Sequence, residues 1–299
     1  MRFLVVGGLL VSVLAVLGFA AVPAAAESDP LPRAEVPVPA PARRIVSMNP
    51  SLTRILVALG ARSALIGVDE FSARAEPRVA DLPRVGGLYS PSLEAVVALQ
   101  PDLVALVPSL EQREFRAQLE ALEVPVLVLD PVRFADVLHT ITALGARVGR
   151  IDAARARVDA IEKTRDAVLR ATRELRQPRA VLVLQREPLF LVGGGNFLDE
   201  MITMAGGRNL GAGLDETWPR SSLEWLVAAA PDVILDSDDD VQPAAEYWAR
   251  WPSLPAVRDG RVIALDPGLV TLPGPDLDRA LELLARSLHG AAFDLGDEP

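Results

Sequence analysis

The chain has 299 residues, a net charge of −10 at neutral pH, 50% hydrophobic residues and no cysteine. Length and hydrophobic content suit one large or two ordinary packed domains. The acidic balance excludes a phosphate-tracking surface for nucleic acid, and the missing cysteine excludes disulfides, thiolate metal sites and thiol nucleophiles. Only His139, His289 and one lysine, Lys163, are available besides carboxylates and arginines for proton or phosphate chemistry, and no P-loop pattern occurs.

Residues 1–26 read as an export signal: Arg2, the apolar run Phe3–Val22, then Ala24-Ala25-Ala26 as a cleavage pattern. An uncleaved anchor is the alternative, since the run is about long enough to span a bilayer. With cleavage, and with no cysteine for lipid attachment, the expectation is a soluble periplasmic protein that is not a lipoprotein. Residues 27–42, with five prolines, form an extended linker, and 291–299 an acidic tail.

Between them the chain repeats itself. Ser92-Leu93-Glu94 through Pro101-Asp102-Leu103-Val104 is echoed by Ser222-Leu223-Glu224 through Pro231-Asp232-Val233-Ile234. Each copy predicts a short helix with serine at its N-cap, broken by Pro-Asp and followed by a buried strand. Val126–Pro131 is echoed by Val262–Pro267, and the unit opening at Arg44-Ile45-Val46 by the one opening at Arg179-Ala180-Val181. Three matched elements in one order predict an α/β protein of two Rossmann-like lobes, residues 43–149 and 177–290. Residues 150–176 carry neither Gly nor Pro, and Ile151, Ala154, Val158, Ile161, Val168, Thr172 and Leu175 form one apolar stripe. They predict a single backbone helix about 40 Å long joining the lobes, a rod that leaves little room for hinge closure.

Ligand contacts are expected in the cleft between lobes, at the C-terminal ends of the strands. Asn49 and Ser51 stand there, with helix capping as the plain alternative. Gly193-Gly194-Gly195-Asn196 reads as a loop-to-helix turn and Asp236–Asp240 as a solvated loop, each in preference to an ion site. Glu94 and Glu224, by residue chemistry alone, complement the positive ends of their helices.

The segments Arg44–Thr53 and Asp81–Gly87, with the doubled Ser-Leu-Glu helices, resemble the class III, helical-backbone periplasmic binding proteins of ABC importers for vitamin B12, ferric siderophores and haem. The resemblance runs over roughly residues 43–290. It implies a non-enzymatic, monomeric receptor with no resident cofactor, delivering its chelate to a permease dimer and its ATPase. It implies that Glu94 and Glu224 dock onto the two permease subunits. It makes Asn49, Ser51, Tyr89, Glu187, Phe190 and Trp218 the ligand contacts, Phe190 and Trp218 matching ligand-facing aromatics of cobalamin binders. Leu88 and Val107 stand near places where a cobalamin receptor carries tryptophan, so part of the aromatic cage is missing; cobalamin leads on the Phe190 and Trp218 matches and a ferric siderophore follows, with Arg84, Arg186 and Arg220 as candidate contacts to its anionic groups. Haem would need Tyr89 as axial ligand, because His139 and His289 fall in helical stretches. A secreted carboxylate hydrolase is the reading from a different class.

Overall fold

The computed structural model describes residues 40–87, 90–109 and 112–296. The export run, most of the linker, Tyr89 and the last three residues lie outside them. Among the described residues no helix is long and apolar enough to cross a membrane.

The first lobe runs β1 (Ile45–Ser47), α1 (Pro50–Ala58), β2 (Leu65–Val68), α2 (Glu70–Ala75), α3 (Leu93–Ala98), β3 (Leu103–Leu106), α4 (Gln112–Ala121), β4 (Val126–Val128) and α5 (Phe134–Arg147). Its strands form a fully parallel sheet in the order β2-β1-β3-β4. Helix α6 (Ile151–Thr172) follows. The second lobe runs β5 (Arg179–Gln185), β6 (Phe190–Leu191), α7 (Phe197–Met204), β7 (Arg208–Asn209), α8 (Leu223–Ala229), β8 (Val233–Asp236), α9 (Ala244–Trp248), α10 (Pro255–Arg258), β9 (Val262–Ala264), α11 (Pro267–Val270) and α12 (Leu277–His289). There the order is β6-β5-β8-β9, parallel except for the antiparallel β5–β6 pair, and β7 adds beside β5. The path β1-β3-β4 in one sheet thus matches β5-β8-β9 in the other, as the repeat predicts.

The repeated residues have matching jobs. Ser92 and Ser222 each accept the N–H three residues on, at 3.2 Å in both copies, and so start α3 and α8. Each helix ends in a non-glycine residue of positive φ, Gln100 at 49° and Ala230 at 46°. The Asp of each Pro-Asp then closes the strand entry. Asp102 accepts from Arg43 and Arg44 N–H at 2.8 and 3.0 Å, and Asp232 from Arg179 N–H at 2.9 Å. The guanidinium of Arg44 reaches Leu99 O and Gln100 O, and that of Arg179 reaches Ala229 O. Each arginine therefore covers carbonyls that the helix end leaves unpaired.

Strand alternation decides what the sheets bury. Ile45, Leu103 and Ala105 from the first sheet and Ala180, Leu182, Val233 and Leu235 from the second belong to one continuous apolar core, which takes in α1, α5, α6, α7 and α12. The opposite faces have separate cores, around Val46, Val104 and Phe115 in one lobe and Val181, Ile234 and Trp248 in the other. At 22 residues α6 is about 33 Å long, shorter than expected, and its buried stripe narrows to Ala154, Ile161, Val168 and Thr172, with Ile151 exposed. Rather than a free rod, it packs against α5 from the first lobe and α7 and α12 from the second.

Polar ties reinforce that seam. Phe197 N–H donates to Val132 O at 2.8 Å, Phe134 N–H to Glu200 at 2.8 Å, and Arg133 pairs with Glu200 at 3.0 Å. Arg54 on α1 reaches Asp276 at 2.6 Å and the Gly268 carbonyl, and Arg157 on α6 pairs with Asp278. The boundaries shift slightly from those expected. Ala42 is already buried, its N–H bonded to Arg147 O at 2.8 Å, and Phe293 packs into the shared core beneath Arg286, so the folded body extends into both the linker and the tail.

Candidate functional site

In both lobes the parallel strands end in loops on the same edge of the sheet, and two cavities open at equivalent ends. In the first lobe a cavity of about 350 Å³ lies beyond β3 and β4, walled by Leu106, Val107, Pro108 and Val128. Gln112 lines it from the start of α4, and Arg113 and Arg116 stand beside it. In the second lobe a cavity of about 580 Å³ lies beyond β5 and β8, lined by Arg186, Glu187, Asp238, Gln242, Tyr247 and Arg250. The repeat places β3 where β8 stands, so the two are counterparts, one mainly apolar and one ionic.

The ionic cavity rests on a buried pair. The Arg186 guanidinium meets Asp236 at 3.0 Å with both side chains almost wholly excluded from solvent, and it also donates to Gln242 O at 2.6 Å. Trp248 Nε1 donates to the same Asp236 oxygen, and the Arg186 N–H donates to Asp238 at 2.6 Å. Asp236 and Asp238 are therefore structural partners of Arg186, which corrects the reading of Asp236–Asp240 as a solvated loop and of Arg186 as free to meet an anionic ligand. Arg186 and Arg250 both lie against the Tyr247 ring, their guanidinium carbons 4.9 and 4.1 Å from its centre. Its hydroxyl donates to Glu187 at 3.1 Å, and burial, helped by that bond, pushes the phenol above its ordinary value. Glu187 itself is exposed and 3.6 Å from Arg250.

Phe190 and Trp218 reach one edge of the second sheet. Gly193 N–H donates to Thr217 O at 3.0 Å and Leu191 N–H to Pro219 O at 3.0 Å, so the backbone on both sides of Trp218 is laid along β6. Phe190 bridges Arg220 in that register. Trp218 is 43% exposed on this fixed backbone, an aromatic face held without being buried. The approach is close: a Cβ on Gly193 would fall 1.9 Å from Glu216 O. The glycine run is the loop-to-helix turn expected, with Asn196 capping α7 through Leu198 and Asp199 N–H at 3.0 Å.

The first-lobe candidates divide. Asn49 Oδ1 caps α1, accepting from Ser51 and Leu52 N–H at 2.9 and 3.4 Å, with its side chain half-buried. Ser51 is buried on the same face as Ile55, four residues on, so its hydroxyl is not presented to a ligand. That corrects its nomination. Tyr89 lies outside the described residues. Behind the β1 loop runs a buried polar chain: Thr53 Oγ1 lies 2.8 Å from Ser47 Oγ and 2.9 Å from Ser72 Oγ, and Ser72 donates to Asp69. Burial raises the Asp69 carboxyl above the ordinary 3.8, against the opposing pull of the Ser72 hydroxyl and the Ser72 and Phe71 N–H groups. The folded state therefore holds its proton to higher pH than the unfolded chain. The cost of a charged Asp69 is fully present above the folded midpoint and vanishes below the unfolded one, so this group makes stability fall as pH rises between them. Carbon-detected NMR titration is expected to place the Asp69 midpoint above 3.8; a midpoint at or below it contradicts this account.

Glu94 and Glu224 are exposed in the first turns of α3 and α8, in segments with the same sequence of exposed and buried positions. Bonds from its own backbone N–H and from the Ser222 hydroxyl hold the Glu224 carboxyl below its ordinary range. One turn on, Val97 and Val227 are exposed at matching positions. His139 is exposed on α5, and His289 Nε2 lies 2.8 Å from Ala205 O at the far end of α12, so neither faces these cavities. Among the described residues no group of three or more His, Asp or Glu side chains is placed to hold a metal. Gln112, Tyr247 and Arg250 escaped the sequence reading. The scarcity of tyrosine, two in the chain, was the one signal pointing at Tyr247.

Two mainly parallel sheets fused through one helical layer, with openings at matched strand ends, define a two-lobed binding protein. Residues 45–269 match the periplasmic binding protein family Peripla_BP_2, and the chain belongs to it. It is a substrate-binding component of ABC transport and not an enzyme. It is similar to an ABC transporter substrate-binding lipoprotein of Bacillus subtilis (29% identity, 84% of this chain and 81% of the relative). It is also similar to the vitamin B12-binding protein of Vibrio parahaemolyticus (26% identity, 79% and 85%). Among solved structures, the periplasmic heme-binding protein of Roseiflexus sp. RS-1 superposes with a TM-score of 0.73 at 26% identity, covering 84% of this chain and 99% of that one. The Bacillus relative overturns the expected localisation: a lipoprotein is membrane-held, so the fold does not bring with it a freely soluble periplasmic life.

Proposed function

We propose that this chain captures a corrinoid outside the cytoplasmic membrane and delivers it to an ABC permease, docking through Glu94 and Glu224. The observation that carries the ligand reading is the pairing of an apolar, carboxamide-lined cavity in the first lobe with an exposed, backbone-fixed Trp218 in the second. A large macrocycle with amide arms presents apolar faces and neutral hydrogen-bonding groups to match. Likeness to a vitamin B12-binding protein supports the same class. Haem would have to rest on Tyr89, which lies outside the described residues, since neither histidine lines these cavities. A ferric siderophore is the second reading, favoured by the exposed guanidiniums of Arg113 and Arg250 beside the two cavities. The seam through α6 favours capture in a largely preformed cleft. With no cysteine to carry lipid, tethering through an uncleaved Phe3–Val22 run is the form that fits a membrane-held receptor here.

Calorimetric titration with cyanocobalamin, haemin and a ferric siderophore panel tests this directly. Saturable one-to-one binding of cyanocobalamin is expected, weakened about tenfold by Trp218→Ala through lost aromatic contact. Binding of haemin or of ferric siderophores in its place overturns the corrinoid reading.

A further inference from the structure

The apolar cavity of the first lobe has one feature the fold does not explain. Gln112 is 1% exposed, and neither its Nε2 nor its Oε1 has a hydrogen-bond partner. A buried carboxamide left so is destabilising, and native interiors rarely tolerate it without a use. Helix formation does not require it: the Gln112 N–H is already satisfied by Ser109 Oγ at 3.1 Å, and α4 anchors itself through Phe115 and Leu119. A leucine at 112 would suit the surrounding Leu106, Val107 and Val128 better. The side chain is instead part of the cavity wall, with one donor group and one acceptor unspent just beneath its surface.

We infer that Gln112 is a specificity residue, which receives a primary carboxamide arm of the ligand in a reciprocal pair. The ligand N–H donates to Gln112 Oε1, and Gln112 Nε2 donates to the ligand carbonyl. This deepens the corrinoid reading and rests on it, naming the group by which the site tells amide-bearing ligands from others. A carboxylate satisfies only the donor half and faces Oε1 with like partial charge, so carboxylate-edged macrocycles are disfavoured at this position. Arg113 and Arg116 do not supply the discrimination: both are exposed, and Arg116 is engaged with Glu120 at 2.7 Å.

The test compares the full chain with Gln112→Met, near in length and without the amide, and with Gln112→Glu. The probes are cyanocobalamin and cyanocobalamin whose peripheral amides are partly hydrolysed to carboxylates. For the parent chain, tight binding of the first and weaker binding of the second are expected. Gln112→Met is expected to weaken cyanocobalamin binding roughly tenfold to a hundredfold while the ligand-free protein melts at the same or a higher temperature. A merely structural glutamine would lower the melting temperature with it. Gln112→Glu is expected to lose affinity as well, without gaining any for the hydrolysed probe. If the parent binds cyanocobalamin and Gln112→Met binds it equally well, the glutamine holds only water and the inference fails while the corrinoid reading stands. If the parent binds no cyanocobalamin, both fall.

Discussion

Arg186→Met is expected to lower the unfolding free energy by about 3–5 kcal/mol, read by chemical denaturation with the midpoint falling and the slope retained. The variant leaves the Asp236 carboxylate in the interior with only Trp248 Nε1 and the Asp238 N–H to answer it. It also frees the Gln242 carbonyl and removes one of the two cations that lie against the Tyr247 ring. A salt bridge on the surface would be worth well under half as much, because water answers whichever partner remains. Here both side chains are nearly inaccessible, so loss of one strands the other. The double change Arg186→Met with Asp236→Leu is expected to recover much of the loss, since a buried ion pair adds little over apolar packing of similar volume. A loss under about 1 kcal/mol for the single variant would show that water answers the Asp236 carboxylate in the native state, and the account of the ionic cavity would need replacing.

The second large effect is functional. Glu94→Arg combined with Glu224→Arg is expected to bring import in a reconstituted permease system down to background, at least about tenfold. Ligand affinity and melting temperature should stay within experimental error. The two carboxylates are exposed at equivalent places in equivalent lobes, and under the proposed docking, reversal of both converts two attractions to a pseudo-twofold partner into two repulsions. Neither side chain reaches the cavities, so ligand capture gives an internal control. Single reversals should fall between. Undiminished import by the double variant removes the docking role and leaves these residues as helix-end charges.

The architecture was legible because the repeat writes its chemistry in local code. Serine caps, the Pro-Asp break and the arginine opening each strand are short-range devices, and each copy confirms the other. The site was legible only in part. Asn49 looks the same in sequence whether it caps a helix or meets a ligand, and the structure shows it capping. Ser51 was misjudged because its exposure depends on the rotational phase of α1, which turns it inward with Ile55. Arg186 meets Asp236 and Tyr247 from fifty or more residues away, and no spacing rule announces such a meeting. Gln112 had no signal at all: a glutamine opening a charged helix reads as solvated until its surroundings are known. Trp218 was found through the resemblance to cobalamin binders, and its exposure on a pinned backbone keeps it in place as a candidate.

The helical layer shared by the two sheets has a consequence for how such a molecule came to be. A single ancestral copy would have bared the helix faces that now meet at this layer, those of α5 in one half or of α7 and α12 in the other. Either half made alone today would bear that bare side and seek a mate, so the duplication reads as a symmetric pair made permanent by joining its members end to end.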